Sequence, residues 1–196
     1  MVKQLQTKLM LLLAVVLGGV GSAWADTYET GTLGKLSSGD NTIANVTWTV
    51  TLTGSSYFGT DSNYGRGSQF GSSNSPASNV TLTSSAFTGT ITKIVVNASA
   101  YSSSATIGVT VGGTAFGTNS NLTSTNAAYT FESSATGNIV ITLTNASSGG
   151  RAMYVKSISV TYSDGSQKTV AYSVNFRWGL CCNAVTPFCV TSGEIG

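Results

Sequence analysis

The sequence predicts an all-β protein, an antiparallel β-sandwich of jelly-roll-like form, behind an export signal. Three observations predict it. Short runs alternate apolar and hydroxyl residues with a period of two, the periodicity of a half-buried strand. Turn signals such as Gly112-Gly113, Gly149-Gly150 and Asp164-Gly165 punctuate the runs. After residue 25, no window carries apolar residues at the i, i+3, i+4 and i+7 positions of an amphipathic helix. Many short strands with turns between them and no helices read as a sandwich.

The chain opens with Lys3 and Lys8, an apolar stretch over residues 9–20, and the small-x-small sequence Ala23-Trp24-Ala25. This is the pattern of a secretory signal peptide cut after Ala25. The apolar stretch is short of the about 20 residues that span a bilayer. Residues 1–25 are therefore assigned to a signal peptide, 26–165 to the sandwich, and 166–196 to an atypical tail. The expected destination is outside the cytoplasm: extracellular, cell surface or periplasm, with no membrane span in the mature chain. Of nine basic residues, Lys3 and Lys8 leave with the signal, so seven basic residues face seven acidic ones and the mature chain is neutral. A nucleic-acid binder needs a basic footprint to displace counterions, and none exists here.

Residues 46–53 set Val46, Trp48, Val50 and Leu52 on one face and four threonines on the other. Trp48 lies on the apolar phase and is expected in the core. Val80 and Leu82 start a shorter strand. Residues 91–98 contribute Ile94, Val96 and Ala98, and residues 105–111 contribute Ile107, Val109 and Val111. Residues 137–144 turn Ile139, Ile141 and Leu143 inward. Near the end, Ile158, Val160 and Tyr162 alternate with Ser157, Ser159 and Thr161, while Met153 and Val155 fall out of that phase. A β-bulge near Lys156 reconciles the two sets.

Two stretches break the pattern. Residues 54–77 are rich in Gly, Ser and Asn, hold Tyr57, Phe58, Tyr64, Arg66 and Phe70, and read as one long loop. Loops of that length in compact domains are uncommon and often functional. The tail carries all three cysteines, Cys181, Cys182 and Cys189. A truncated or frame-shifted gene end would produce such a tail, and so would the stub of a second domain. In an oxidising compartment Cys182–Cys189 or Cys181–Cys189 is the feasible bridge, with one thiol left over.

Gln69-Phe70-Gly71-Ser72-Ser73 with Pro76-Ala77, then residues 80–83, 91–99 and 154–162, resemble a β-sandwich module. It recurs in large exported proteins of Gram-negative gut anaerobes, often beside Ig-like domains, nucleases or glycan-active enzymes. The resemblance runs from about Thr47 to Ser163. It implies a jelly-roll-like accessory or binding module, similar in outline to carbohydrate-binding modules, and brings no catalytic residues with it.

The chain has no histidine, which removes Ser-His-Asp and Cys-His catalysis and His-ligated zinc. Three cysteines without histidine fall short of a four-ligand zinc site. No acid pair sits at matching inward positions, as glycoside hydrolysis would require, so no enzyme activity is expected. Asp26 and Glu29, near the start of the mature chain, are the carboxylates a structural calcium would use, without any Asp-x-Asp-x-Asp loop to support it. The expected function is binding: glycans, or neighbouring surface proteins to which the module is accessory. The alternative is a structural spacer or adhesin fragment with no small ligand. The candidate ligand-binding residues are Tyr57, Tyr64, Arg66 and Tyr101, aromatic or cationic side chains in Gly- and Ser-rich segments where nothing demands burial. The competing reading has Tyr57, Phe58 and Phe70 covering an open end of the sandwich.

The export assignment is checked by mass spectrometry of secreted material, which should find Asp26 as the N-terminal residue. Intact Met1 in a membrane fraction would overturn it.

Overall fold

Alternation at this density gives strands with one apolar face each, and such strands bury that face only by stacking one sheet on another. The computed structural model describes residues 25–101, 104–146 and 151–163. The signal segment up to residue 24, and the tail with Cys181, Cys182 and Cys189, lie outside the described residues. In chain order the strands are β1 (Ala25–Glu29), β2 (Gly39–Ile43), β3 (Val46–Thr53), β4 (Phe58–Asp61) and β5 (Gly67–Phe70). They continue with β6 (Asn79–Ser84), β7 (Phe87–Ala100), β8 (Ala105–Val111), β9 (Thr114–Ala115) and β10 (Ser120–Asn121). The last are β11 (Ala127–Gly137), β12 (Ile139–Asn145) and β13 (Met153–Ser163).

Two antiparallel sheets result. One runs β11-β7-β13-β5-β4, with β1 also on β13; the other runs β10-β8-β12-β6-β3-β2, with β9 on β8. From β6 onward the long strands alternate between the sheets, the jelly-roll habit the sequence led us to expect. Ile94, Val96 and Ala98 of β7 and Ile158 and Val160 of β13 are buried, as are Trp48, Val50, Leu82, Ile107 and Ile141 of the facing sheet. Each of these lies on the inward phase read from the alternation. The β2–β3 hairpin turns through Ala44 and Asn45, both at positive φ (45° and 67°), a primed turn whose twist matches its strands.

Trp48 is fully buried, as its phase required. A buried indole N–H needs an acceptor, and Nε1 donates to the Tyr28 hydroxyl at 2.9 Å. The Tyr28 hydroxyl in turn donates to the Ile43 carbonyl at 2.8 Å. Tyr28 belongs to one sheet and Trp48 to the other, so this short chain of hydrogen bonds crosses the core. Phe87 meets Tyr28 edge-on at 5.5 Å, and Tyr162 meets Phe87 at 5.3 Å, closing that end with aromatic rings.

The bulge forms where the phase break required it. Val155 pairs with Ala98 and Ser157 with Asn97, so Lys156 is the extra residue. On the other edge of β13, β5 covers residues 153–155 and β1 covers residues 159–163, leaving a gap at the bulge. Residues 30–33 fill it. Leu33 N–H donates to the Lys156 carbonyl, Thr30 N–H donates to the Ile158 carbonyl, and Ile158 N–H donates to Thr30 Oγ1.

Residues 54–77 differ from the expectation of a single long loop. They contain the hairpin β4–β5, with Phe58 opposite Phe70. Phe70 is fully buried and Phe58 packs edge-on against it at 6.0 Å. Four-residue strands with glycines at positions 59 and 67 leave too short an alternation to read.

Removing the Tyr28 hydroxyl should strand the buried Trp48 N–H. Tyr28→Phe is expected to cost about 1–3 kcal/mol at neutral pH in urea titration, the cost of a buried polar group left unpaired. Burial raises the Tyr28 phenol above the ordinary tyrosine value, against a smaller lowering by its bond from Trp48. The unfolded phenol ionises near pH 10, so this contribution is whole below about pH 10 and is lost as pH rises through the folded-state value. Tyr28→Phe should therefore flatten the fall of stability above about pH 10.

Candidate functional site

The bulge decides which side chains of β13 face outward. With Met153 and Val155 turned into the core, Tyr154 must point to the outer face. The register lines up Ser99, Tyr154, Gln69 and Gly59 in one row across β7, β13, β5 and β4. The row just inside it, Ala100, Met153, Phe70 and Phe58, is the core beneath. Tyr154 thus lies on the outer side of a packed floor, yet it is only 6 % exposed because Arg66 covers its ring.

The tip of the β4–β5 hairpin folds over this row. Asp61 Oδ1 accepts the Tyr64 N–H at 3.2 Å, and Arg66 N–H donates to the Asp61 carbonyl at 3.0 Å. Asn126 Nδ2 donates to the Gly65 carbonyl at 3.0 Å, while Asn126 Oδ1 accepts the Ser99 hydroxyl at 3.1 Å. The tip is therefore tied at both sides. Arg66 lies between two rings, with its guanidinium carbon 5.0 Å from the Tyr64 centroid and 4.9 Å from that of Tyr154. Its Nη1 stands 3.7 Å from Asp61 Oδ2, a long ion pair. Burial raises the Tyr154 phenol; its bond and proximity to Arg66 pull the other way without cancelling the rise. Tyr154 is thus a neutral phenol at physiological pH.

Tyr101 and Arg151 enter from the strand ends. Tyr101 follows β7 directly, and its N–H donates to the Ala152 carbonyl at 2.9 Å, extending the β7–β13 ladder by one step. That step sets Arg151 over the Tyr101 ring, 4.5 Å from its centroid. Tyr101, Arg151 and Tyr154, with Gln69, Ser72 and Ser73, border an open depression of about 260 Å³. Gly71 (φ +79°) makes the turn that carries Ser72 there. A Cβ on it would come within 2.6 Å of Ala77 N and 2.7 Å of the Arg151 carbonyl.

Of the four sequence-derived site residues, Tyr101 borders the depression, while Tyr64 and Arg66 stack at the hairpin tip, linked to it through Tyr154. Tyr64 is 75 % exposed and Tyr101 54 % exposed, while Arg66 is half-buried between its rings. Tyr57 is 43 % exposed, and its ring lies over Gly59 at the β4 end of the outward row. Among the described residues, no ring or cation contact joins Tyr57 to the other three. Tyr154 and Arg151 were not among the sequence-derived candidates. The phase break at Lys156 carries the signal for Tyr154, because it turns an aromatic residue to the outer side of a central strand, where Arg66 covers it.

The carboxylates are engaged separately. Asp40 accepts the Thr49 hydroxyl at 2.6 Å, and Glu132 pairs with Lys93 at 3.2 Å. Asp26 and Glu29 are three residues apart on β1, hence on opposite faces, and do not converge on one ion. Among the described residues no three His, Cys, Asp or Glu side chains group closely enough to hold a metal. No helix there is long and apolar enough to cross a membrane.

No family model matches the chain, and no curated protein matches it. Solved structures similar to it include a family 29 carbohydrate-binding module from Piromyces equi, with a TM-score of 0.45 and 13% identity over 70% of this chain and 91% of that one. Another is a family two carbohydrate esterase from Cellvibrio japonicus, with a TM-score of 0.41 and 12% identity over 71% of this chain; the match spans 34% of the esterase. A third is the module CBM36 in complex with calcium and xylotriose, with a TM-score of 0.37 and 21% identity over 57% of this chain and 98% of that one. The sandwich assignment rests on the strand pairing itself.

The close packing of β5 on the bulge can be tested through two glycines. A Cβ on Gly67 (φ +81°) would lie 2.5 Å from the Val155 carbonyl oxygen, whereas one on Gly65 (φ +61°) meets nothing within 4 Å. Gly65→Ala should cost only the left-handed backbone strain, about 1–2 kcal/mol. Gly67→Ala should cost clearly more in thermal unfolding. Equal losses would mean that β5 does not press on the bulge.

Proposed function

We propose that this chain is an exported, non-catalytic binding module whose outer β5–β13 face takes a glycan. The observation that supports the reading is the pair of exposed rings, Tyr64 and Tyr101, each held by an arginine on a face that also carries Tyr154. A soluble domain gains nothing in stability from large rings left in water. Here two such rings are fixed in place by stacked guanidinium groups, at about 0.5–1 kcal/mol per exposed contact.

The chemistry suits a sugar. A pyranose presents a patch of C–H groups to an aromatic face and hydroxyls at its rim. The ring of Tyr64 offers such a face. Beside the Tyr101 ring, the amide of Gln69 and the hydroxyls of Ser72, Ser73 and Tyr154 offer hydrogen bonds. Because the depression is open and shallow, binding is weak and gains from several such modules acting together. The absence of histidine and the separate engagement of Asp40, Asp61 and Glu132 favour binding over turnover. The export expected from the signal-peptide pattern of residues 1–25 is consistent with a polysaccharide ligand.

Affinity electrophoresis through gels containing plant and microbial polysaccharides tests this. The wild-type chain should be retarded by at least one of them. Tyr64→Ala should abolish the retardation while stability stays within about 0.5 kcal/mol, as expected of an exposed position. If Tyr64→Ala unfolds the protein and leaves retardation intact, the ring is a lid and the assignment fails.

A further inference from the structure

Arg66 and Arg151 are the arginines of the described residues, and both stand on this one face. Their charges are not equally available. Arg66 is stacked between two rings and faces Asp61 at 3.7 Å. Arg151 is exposed, is stacked on Tyr101 alone, and has no carboxylate within ion-pair distance among the described residues. Since the expected mature chain is neutral, the positive charge at Arg151 is a local feature and not part of a basic surface.

We propose that the site reads an acidic glycan, one carrying a carboxylate on the sugar ring, with Arg151 as the group that binds the carboxylate. This rests on the glycan reading above and narrows it to uronate-bearing polymers. A guanidinium stacked on a ring keeps its in-plane N–H edges free, and those edges match a carboxylate bidentately. Tyr101 restrains Arg151 without neutralising it, which lowers the rotamer entropy lost on binding. The Arg151 guanidinium lies at the rim of the depression that Gln69, Ser72, Ser73 and Tyr154 border. A uronate ring seated there presents its hydroxyls to those four side chains and its carboxylate to the arginine. Arg66, offset by Asp61, serves instead as a brace that positions Tyr64 and Tyr154.

The test compares polygalacturonate, polymannuronate and a glucuronate polymer with their carboxyl-reduced forms, alongside neutral xylan and β-glucan. It uses affinity electrophoresis and calorimetry on the full secreted chain. At least one native uronate polymer should bind, its reduced form should bind about tenfold or more weakly, and added salt should weaken the native interaction. Arg151→Gln should lose roughly ten- to a hundredfold in affinity for the native polymer with an unchanged melting temperature. Arg151→Lys, which keeps charge but not the fork, should recover only part of it. Equal binding of native and reduced forms, or of neutral xylan, would overturn the acidic preference and leave the glycan reading standing. Binding to no polymer, native, reduced or neutral, would overturn both.

Discussion

At Lys156 the central strand β13 carries one more residue than β7 beside it, and a short segment from the start of the domain closes the resulting gap. Without that insertion, strict alternation would place Tyr154 on the same side as Ile158 and Val160, and so in the core. With it, Met153 and Val155 join Ile158 and Val160 inside, and Tyr154 is turned out. A bulge in a central strand leaves backbone groups unpaired, at about 1–3 kcal/mol for each one buried. Leu33 and Thr30 satisfy them with three hydrogen bonds. Gly67 then lets β5 come against the bulge, where any side chain would collide with the Val155 carbonyl and Lys156 Cα. Residues 30–33, 67 and 156 are far apart in sequence and act together on one outward tyrosine.

What this creates is a preorganised surface. The hairpin tip is held by Asp61 within itself and by Asn126 from across the sheet, so Arg66 does not search for its position over Tyr154. The two stacking contacts on Arg66 and the one on Arg151 are individually small. Their effect is to fix long, rotamer-rich side chains that would otherwise lose about 1.5–2 kcal/mol of conformational entropy each on being immobilised by a ligand. A face built this way fixes its geometry at little cost in stability.

The sequence made the scaffold legible wherever a strand was long enough to show its period. Residues 46–53 and 105–111 coincide with β3 and β8, and the phase break between Val155 and Ile158 marked the bulge correctly. It hid the elements that build the site. In β4 and β5 the alternation lasts four residues and is interrupted by Gly59, so the hairpin read as loop. Tyr64, Arg66 and Tyr101 were visible as unusual residues in polar surroundings. Arg151 looked like an isolated charge after two glycines, because its relation to Tyr101 depends on a cross-strand hydrogen bond between residues some fifty positions apart. Tyr57 shows the converse: an aromatic in the right segment, lying over Gly59 away from the stacked group.

The aromatic residues of the domain divide into two groups with opposite uses. Tyr28, Trp48, Phe87 and Tyr162 lie toward the Ser163 end of β13, with Trp48 and Tyr28 buried and joined by a hydrogen bond between the sheets. Tyr64, Tyr101 and Tyr154 gather at the other end, outside the sheet. Tyr154 and Tyr162 are eight residues apart on one strand, about 25 Å at an extended rise. Perturbations that far apart, sharing no partner, are expected to add independently. The closed end can therefore carry the stability of the sandwich while the open end changes its rings and arginines with little effect on folding. A scaffold arranged so has the freedom to change the side chains of its outer face without first having to restabilise its core.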